Sequence, residues 1–520
     1  MRPRNEGRGG PRPPVRLARA LALLASLTLL LAPIATPAWA EPHDWPQARR
    51  DPENTAATAL PRGSGPLASS WHFRPSRTVW SYEPGMTVWS SPSLGAVRGD
   101  ALLFIGSYDR SVYALEAATG KKRWRFVTGG PVYGTPTLHR EVLYVASTDR
   151  SVYALDAHDG RRLWSHSVVP YRPTLGGARL AAPAVGRLGS ELRVFVAHWA
   201  FDKSVGHHLQ SAGLAALDAT TGRALWQVSL GDNQLAAPVL AATTNPGEPP
   251  RVFVASENGS VHALDARTGA RLWTHTEPAT IKSAPAVYRA ADGPRLVFGT
   301  KQGIVRALDA RTGRPVWRFK TAHWVDGSPA VARLEGRPLV LVGSYDNHLY
   351  ALDGESGHER WRYRTSAGFY GSPALLQHHG ETLVFAAAWD HHLHALSAAS
   401  GKVRFRRFMG RPIWDSLLLG DSTWSSPIAA ELGGTALVYF GSYAGTLHAL
   451  ELAEASQTSA TQESSNRAFF VTLPLVLLGV GLLAYALTRA ERRRERSRAA
   501  PLPSPRGRAR RADPPRGQDG

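Results

Sequence analysis

The sequence predicts an all-β chain: an eight-bladed β-propeller of four-stranded antiparallel blades, closed by an N-terminal strand and followed by one C-terminal transmembrane helix. Three observations predict it. The stretch Tyr153-Ala154-Leu155-Asp156-Ala157-His158-Asp159-Gly160-Arg161-Arg162-Leu163-Trp164 recurs along the chain. A small residue followed by proline and an apolar run precedes each copy. One uncharged apolar segment stands near the C-terminus.

The near-copies read YALEAATGKKRW at 113–124, AALDATTGRALW at 215–226, HALDARTGARLW at 262–273, RALDARTGRPVW at 306–317 and YALDGESGHERW at 350–361. HALSAASGKVRF at 394–405 puts Phe in place of Trp, and HALEL at 448–452 stops before its turn. The turn glycine, Gly160 in the type copy, supplies the positive φ of a tight hairpin. The acidic residue before the turn accepts hydrogen bonds from turn amides. Upstream prolines stand at Pro92, Pro136, Pro183, Pro238, Pro285, Pro329, Pro373 and Pro427. One unit is therefore strand A around the proline, strand B in an apolar run such as 102–107 or 339–344, strand C in the YALD run, and strand D ending in the aromatic. The aromatics from Trp273 through Trp317 and Trp361 to Phe405 are 44 residues apart each time. Four short strands at that period read as propeller blades, and eight units are present.

The A-x-D-A-x-T-G-x-x-x-W repeat resembles the pyrroloquinoline-quinone (PQQ)-type β-propeller repeat over roughly residues 42–452. Two groups share that repeat: quinoprotein dehydrogenases, and cofactor-free propellers such as the lipoprotein of the outer-membrane assembly machinery. The resemblance implies that the repeated aromatic docks between neighbouring blades, here Trp124, Trp164, Trp226, Trp273, Trp317, Trp361 and Phe405. It leaves function open, because the repeat is scaffold.

In chain order, residues 1–40 read as a secretory signal peptide. Six arginines precede a short apolar core at 20–31, and Ala38-Trp39-Ala40 offers a cleavage site. The propeller is expected over 41–452. Within it, Leu67-Ala68-Ser69-Ser70-Trp71-His72-Phe73 reads as an isolated strand D that completes blade eight, with Trp71 in the docking place. Insertions at 198–212, 169–180 and 409–423 are longer than the repeat needs and are expected on the one face where B–C and D–A loops emerge. Residues 453–468 form a polar, flexible stalk. The uncharged stretch 469–487 is long enough to cross a bilayer. The arginine-rich tail 488–520 then places the C-terminus in the cytoplasm and the propeller in the periplasm, a single-pass arrangement in the inner membrane.

The formal charge of +20 is concentrated at the ends, with +5 on 1–40 and +7 on 488–520, so +8 remains for the propeller and stalk. That partition does not point to nucleic acid as a partner. The absence of cysteine excludes disulfides, a lipid-modified cysteine, a c-type haem motif and thiolate metal sites. It departs from both groups, since assembly lipoproteins carry a lipobox cysteine and many quinoprotein alcohol dehydrogenases a vicinal cysteine pair.

Candidate chemistry lies at the axial mouth. The residues opening strand A offer Trp89, Tyr133, Lys282, Asp326, Tyr370 and Trp424, and the B–C turns offer Tyr108, Asp149, Glu257, Lys301, Tyr345, Trp389 and Tyr443. With Trp324, Trp414 and Asp415 beside them, the mouth reads as an aromatic funnel with a few charges. A cofactor-binding role would fall on Trp89, Tyr133, Lys282, Lys301, Asp326, Tyr370 and Trp424. The histidines at 207–208, 378–379 and 391–394 do not read as a metal site. His394 aligns with Tyr113, Arg306 and Tyr350, so the repeat accepts several residue types there. No catalytic triad, phosphate loop or paired-carboxylate motif stands out. The expected function is a cofactor-free, membrane-anchored periplasmic scaffold binding an envelope or membrane protein. The alternative is a PQQ-dependent dehydrogenase, with Ca²⁺, passing electrons to a membrane acceptor.

Overall fold

The computed structural model describes residues 73–82, 90–169, 175–202, 209–231, 234–241, 247–408, 426–441 and 446–454. The segments read as signal peptide, transmembrane helix and basic tail lie outside these residues, as do the connection 409–423 and most of the stalk. Among the described residues no helix is long and apolar enough to cross a membrane.

Each repeat folds as one antiparallel sheet in the order A-B-C-D. In blade one these strands are Ser93–Val97, Asp100–Ser107, Ser111–Glu116 and Lys122–Val127. Strands B and C are apolar throughout because neighbouring blades cover both faces: Leu102, Leu103, Phe104, Ile105, Val112 and Ala114 are all fully buried. Strand D keeps a period of two, with Trp124 buried between exposed Arg123 and Arg125, because it is the outer edge. Eight such sheets are present among the described residues.

The ring is closed by the chain's two ends. Phe73–Tyr82 pairs with Leu447–Glu454, which continues through Thr435–Gly441 to Ile428–Leu432. The N-terminal strand is thus strand D of blade eight, and the sheet edges that would otherwise template aggregation are paired. The register adds one observation to the sequence reading. Trp80, not Trp71, stands opposite Ala449, as Trp124 stands opposite Ala114 and Trp317 opposite Ala307. Even the bulge is repeated, with Thr78 facing Leu450 as Pro315 faces Leu308. Trp71 precedes the strand and lies outside the described residues. A sequence signal existed, since Arg77-Thr78-Val79-Trp80 parallels Arg314-Pro315-Val316-Trp317. An aromatic without its own turn is ambiguous until its partner strand, contributed by the far end of the chain, fixes the register.

The repeated aromatics form the seams between blades. Each indole N–H donates to a carbonyl in the next blade's C–D turn: Trp124 to Ala157 at 3.0 Å, Trp164 to Ala219 at 2.9 Å, Trp317 to Gly354 at 2.9 Å and Trp361 to Ala398 at 2.8 Å. The turn glycine is needed twice over. Gly357 has φ 76°, and a Cβ there would stand 2.6 Å from the Trp317 ring. The turn acids act as expected: Asp218 Oδ1 accepts from the Thr220 and Thr221 amides at 3.0 and 2.8 Å.

A second seam runs around the axis. The residue before the strand A proline is serine in several blades, and its Oγ accepts from the corresponding amide of the preceding blade. The amide–hydroxyl pairs are Ala284–Ser328 (3.0 Å), Ser328–Ser372 (2.8 Å), Ser372–Ser426 (3.1 Å) and Ser426–Ser91 (3.1 Å). The last pair joins the C-terminal blade to blade one. Ser328→Ala strands the buried Ala284 amide, and a loss of about 1–3 kcal/mol is expected in denaturant titration. A loss below a few tenths would show that water replaces the hydroxyl there.

Blade three departs from the rest. Its strand B, Glu191–Asp202, pairs with strand A, Ala184–Leu188, along one half and with an added strand, Leu175–Leu180, along the other. The two insertions noted in this blade therefore meet on the same side of it, through the Leu180–His198 and Arg179–Trp199 pairs.

Candidate functional site

Each blade presents one residue at the opening of strand A, two positions before the small residue that precedes the proline. In blades two to seven these are Tyr133, Leu180, Leu235, Lys282, Asp326 and Tyr370. The corresponding Trp89 and Trp424, in blades one and eight, lie outside the described residues. Backbone hydrogen bonds pin these segments against the B–C turn of the preceding blade: Val132 N to Ser107 O and Val325 N to Thr300 O at 3.1 Å, and Phe369 N to Ser344 O at 3.0 Å. The mouth is therefore walled by pairs of adjacent blades.

Two groups result. On one side the Tyr133 hydroxyl donates to the Tyr108 hydroxyl, and the Arg179 guanidinium lies 5.1 Å from the centre of the Tyr133 ring. On the other, blades four to seven bring Lys282, Lys301, Asp326 and Tyr370 into one wall. Lys282 Nζ is 3.2 Å from Glu257 Oε1, and its side chain is 9% exposed. Lys301 Nζ lies 4.6 Å from the centre of the Trp324 ring, a cation–π contact. Tyr345 connects Trp324, Tyr370 and Trp389 at centroid distances of 5.4, 5.7 and 5.5 Å. The Tyr370 and Trp389 rings lie within 12° of parallel, and Trp389 is 41% exposed.

Asp326 is the outlier in this wall. It is 6% exposed, and neither carboxylate oxygen has a hydrogen-bond partner among the described residues. Burial pushes its carboxyl above the usual range, while Lys301, Lys282 and His323 pull the other way. Burial likewise pushes the Lys282 ammonium down, with Lys301 adding to the effect and Glu257 and Asp326 opposing it. The Tyr345 phenol is raised far above its ordinary value by burial, then by Tyr370 and Asp326, and so stays a donor.

Of the residues singled out from sequence, Lys282, Lys301, Asp326 and Tyr370 come together, whereas Tyr133 belongs to the separate tyrosine–arginine group. Sequence reasoning missed His323, Arg179 and Trp199. Aligning Val194-Phe195-Val196-Ala197 with Val252-Phe253-Val254-Ala255 puts Trp199 in the place of Glu257. The added strand of blade three leaves Trp199 only 1% exposed, its indole N–H without a partner among the described residues. The strand C position that varies between Tyr, His and Arg has a common role. Tyr153 donates to Asp149 (2.6 Å), Tyr350 to Asp346 (2.9 Å), and the His394 ring contacts Asp390 (3.1 Å). Arg306 reaches Glu277 instead, at 2.7 Å.

A calcium-bound quinone needs six to eight oxygen ligands around the metal. The described part of the mouth offers the two oxygens of Asp326, while Glu257 is engaged with Lys282. Among the described residues no group of three His, Asp or Glu side chains is arranged to hold a metal. The described side chains alone do not complete that set, and Trp89, Trp424 and Asp415 of the same mouth lie outside the described residues.

The fold and its seams define an eight-bladed propeller of PQQ-type repeats. The sequence profile described as outer membrane protein assembly factor BamB matches residues 73–249, 210–290 and 257–478, and the chain belongs to that PQQ-type repeat family. No curated protein matches it. Among solved structures, a europium-containing methanol dehydrogenase is similar at 14% identity and TM-score 0.57, over 79% of this chain and 99% of that one. A quinohemoprotein alcohol dehydrogenase from Comamonas testosteroni is similar at 15% and 0.56, over 79% and 81%. Sqt1 of Saccharomyces cerevisiae is similar at 10% and 0.56, over 72% and 99%. At such identities the likeness is one of fold.

Proposed function

We propose that this chain is a membrane-anchored recognition module of the cell envelope, holding a protein partner against the face of the propeller that carries the B–C turns. The observation that carries the reading is the aromatic wall of blades five to seven, from Trp324 through Tyr345 and Tyr370 to the exposed Trp389. Clustered tyrosine and tryptophan with charged neighbours is the composition of interface hot spots. Membership of a family described by an envelope assembly factor supports the same reading. The segment 469–487 would tether the module to the inner membrane with the propeller in the periplasm, and the polar stalk would set its reach. The dehydrogenase alternative rests on fold likeness, and the donors of the described mouth do not supply its metal.

The test is site-specific photocrosslinking in cells, with a photoreactive residue in place of Trp389 and, as control, in place of Leu163 on the outer edge of blade two. A discrete protein adduct from the first position and none from the second is expected. Equal labelling at both, or none at Trp389, would sink the reading. Titration of the full chain with PQQ and Ca²⁺ provides the opposing check, since saturable binding would restore the dehydrogenase.

A further inference from the structure

Asp326 is a buried carboxylate that none of the described residues satisfies. It is 6% exposed, and both oxygens are without hydrogen bonds among the described residues. Leaving such a group unpaired costs several kcal/mol in an ordinary core. The strand A opening in the other described blades is filled by Tyr133, Leu180, Leu235, Lys282 and Tyr370, so the ring does not require an acid there. The neighbours of Asp326 define what could meet it. Lys282 and Lys301 carry donors beside it, with Lys282 already balanced by Glu257. Among the described residues, with His323 neutral, Glu257 and Asp326 match Lys282 and Lys301 in number, so this wall favours a ligand without net charge. It is a dipole, with a cation on blade five set against an anion on blade six. Its complement is a neutral group carrying both a donor and an acceptor. A secondary amide is such a group: its N–H meets Asp326 and its carbonyl oxygen meets a lysine ammonium. The adjoining Trp324–Tyr345–Tyr370–Trp389 wall then faces whatever flanks the amide, and takes an aromatic or large apolar side chain.

We infer that this mouth receives a backbone amide of an extended polypeptide segment, seated between Lys282 or Lys301 and Asp326 with an aromatic side chain against Tyr370 and Trp389. The inference deepens the protein-recognition reading and rests on it. It names what the partner inserts: a short uncharged stretch with an aromatic residue next to the bound amide.

The probe is N-acetyl-phenylalanyl-glycinamide, titrated into the full chain in detergent and followed by ligand-observed NMR. Its partner is the depsipeptide in which an ester oxygen replaces the Phe–Gly amide N–H. A hydrogen bond to a charged acceptor predicts that the amide binds about tenfold tighter than the ester. Asp326→Asn, which leaves only a neutral acceptor, should shrink that preference and bring the two affinities closer. Because Asp326 has no hydrogen-bond partner among the described residues, the same variant should melt higher than the parent by about 2 °C. Equal binding of amide and ester by the parent, or binding of neither, overturns the inference. So does a lower melting temperature for Asp326→Asn, which would make Asp326 structural. Competition by methyl glucoside without amide preference would make the mouth a carbohydrate site instead. Crosslinking at Trp389 separates the failures. A partner still captured there while the peptides show no preference leaves the recognition reading standing and removes only the amide.

Discussion

Arg306→Ala is expected to destabilise the propeller by about 3–5 kcal/mol, because it strands a buried carboxylate. Glu277 follows strand D of blade four, is 5% exposed, and accepts from Arg306 Nε at 2.7 Å across the seam with blade five. His275 Nε2 contacts the same oxygen at 2.8 Å. Burial alone would push the Glu277 carboxyl up. Hydrogen bonds from His275 and Arg306, and the charge of Arg306, outweigh burial and hold it at about 2, against an ordinary 4.5. A carboxyl depressed by folding stabilises the native state fully above its unfolded value and loses that contribution as pH falls through the folded one. The urea midpoint of the parent should therefore decline between pH 4.5 and about 2 more steeply than that of Arg306→Ala, which has already lost the pair. A double variant, Arg306→Met with Glu277→Gln, should recover most of the stability, since the cost lies in the unpaired charge. Parallel pH profiles for parent and Arg306→Ala would show that the pair contributes nothing.

Trp317→Ala is expected to cost a similar amount, about 3–5 kcal/mol, and for a different reason. The ring is 7% exposed, fills the seam between blades five and six, and closes it with the 2.9 Å bond to Gly354 O. Trp317→Phe should cost less, because blade seven already uses Phe405 at the equivalent place, 6% exposed and packed on Phe385. Gly357→Ala attacks the same seam from the other side, through its φ of 76° and the 2.6 Å approach to the indole. Denaturant midpoints should rank the parent first, then Trp317→Phe, with Trp317→Ala and Gly357→Ala lowest. If Trp317→Phe proved as damaging as Trp317→Ala, the hydrogen bond rather than ring packing would govern the seam.

These seams show why the scaffold is legible in the amino-acid sequence. The turn glycine, the acid that binds turn amides and the docking aromatic belong to one contiguous twelve-residue stretch, such as 306–317, so a single repeat states its own strands and turn. The axial candidates can also be found, because the proline marks each strand A and the residue ahead of it is fixed by counting. Lys282 and Asp326 are located in that way. Their significance is not legible. That Lys282 is balanced by Glu257 while Asp326 has no hydrogen-bond partner among the described residues depends on how one blade's B–C turn meets the next blade's opening.

The sequence by itself determined the repeat, its eight-fold count, and the strand C and D pairing within each blade, because those interactions are local and recur at one period. Only the tertiary structure decided the register of the strand that closes the ring. Trp80 stands opposite Ala449, the register position that Trp124 and Trp317 hold in their blades, because pairing with Leu447–Glu454 from the far end of the chain fixes it. Only the tertiary structure, too, set apart two groups in the described part of the mouth, joining Tyr133 to Tyr108 and Arg179 and leaving Asp326 buried beside lysines with no hydrogen-bond partner among the described residues. The Lys282–Glu257 pair and the wall around Asp326 are contacts between blades, and a repeat read singly does not contain them.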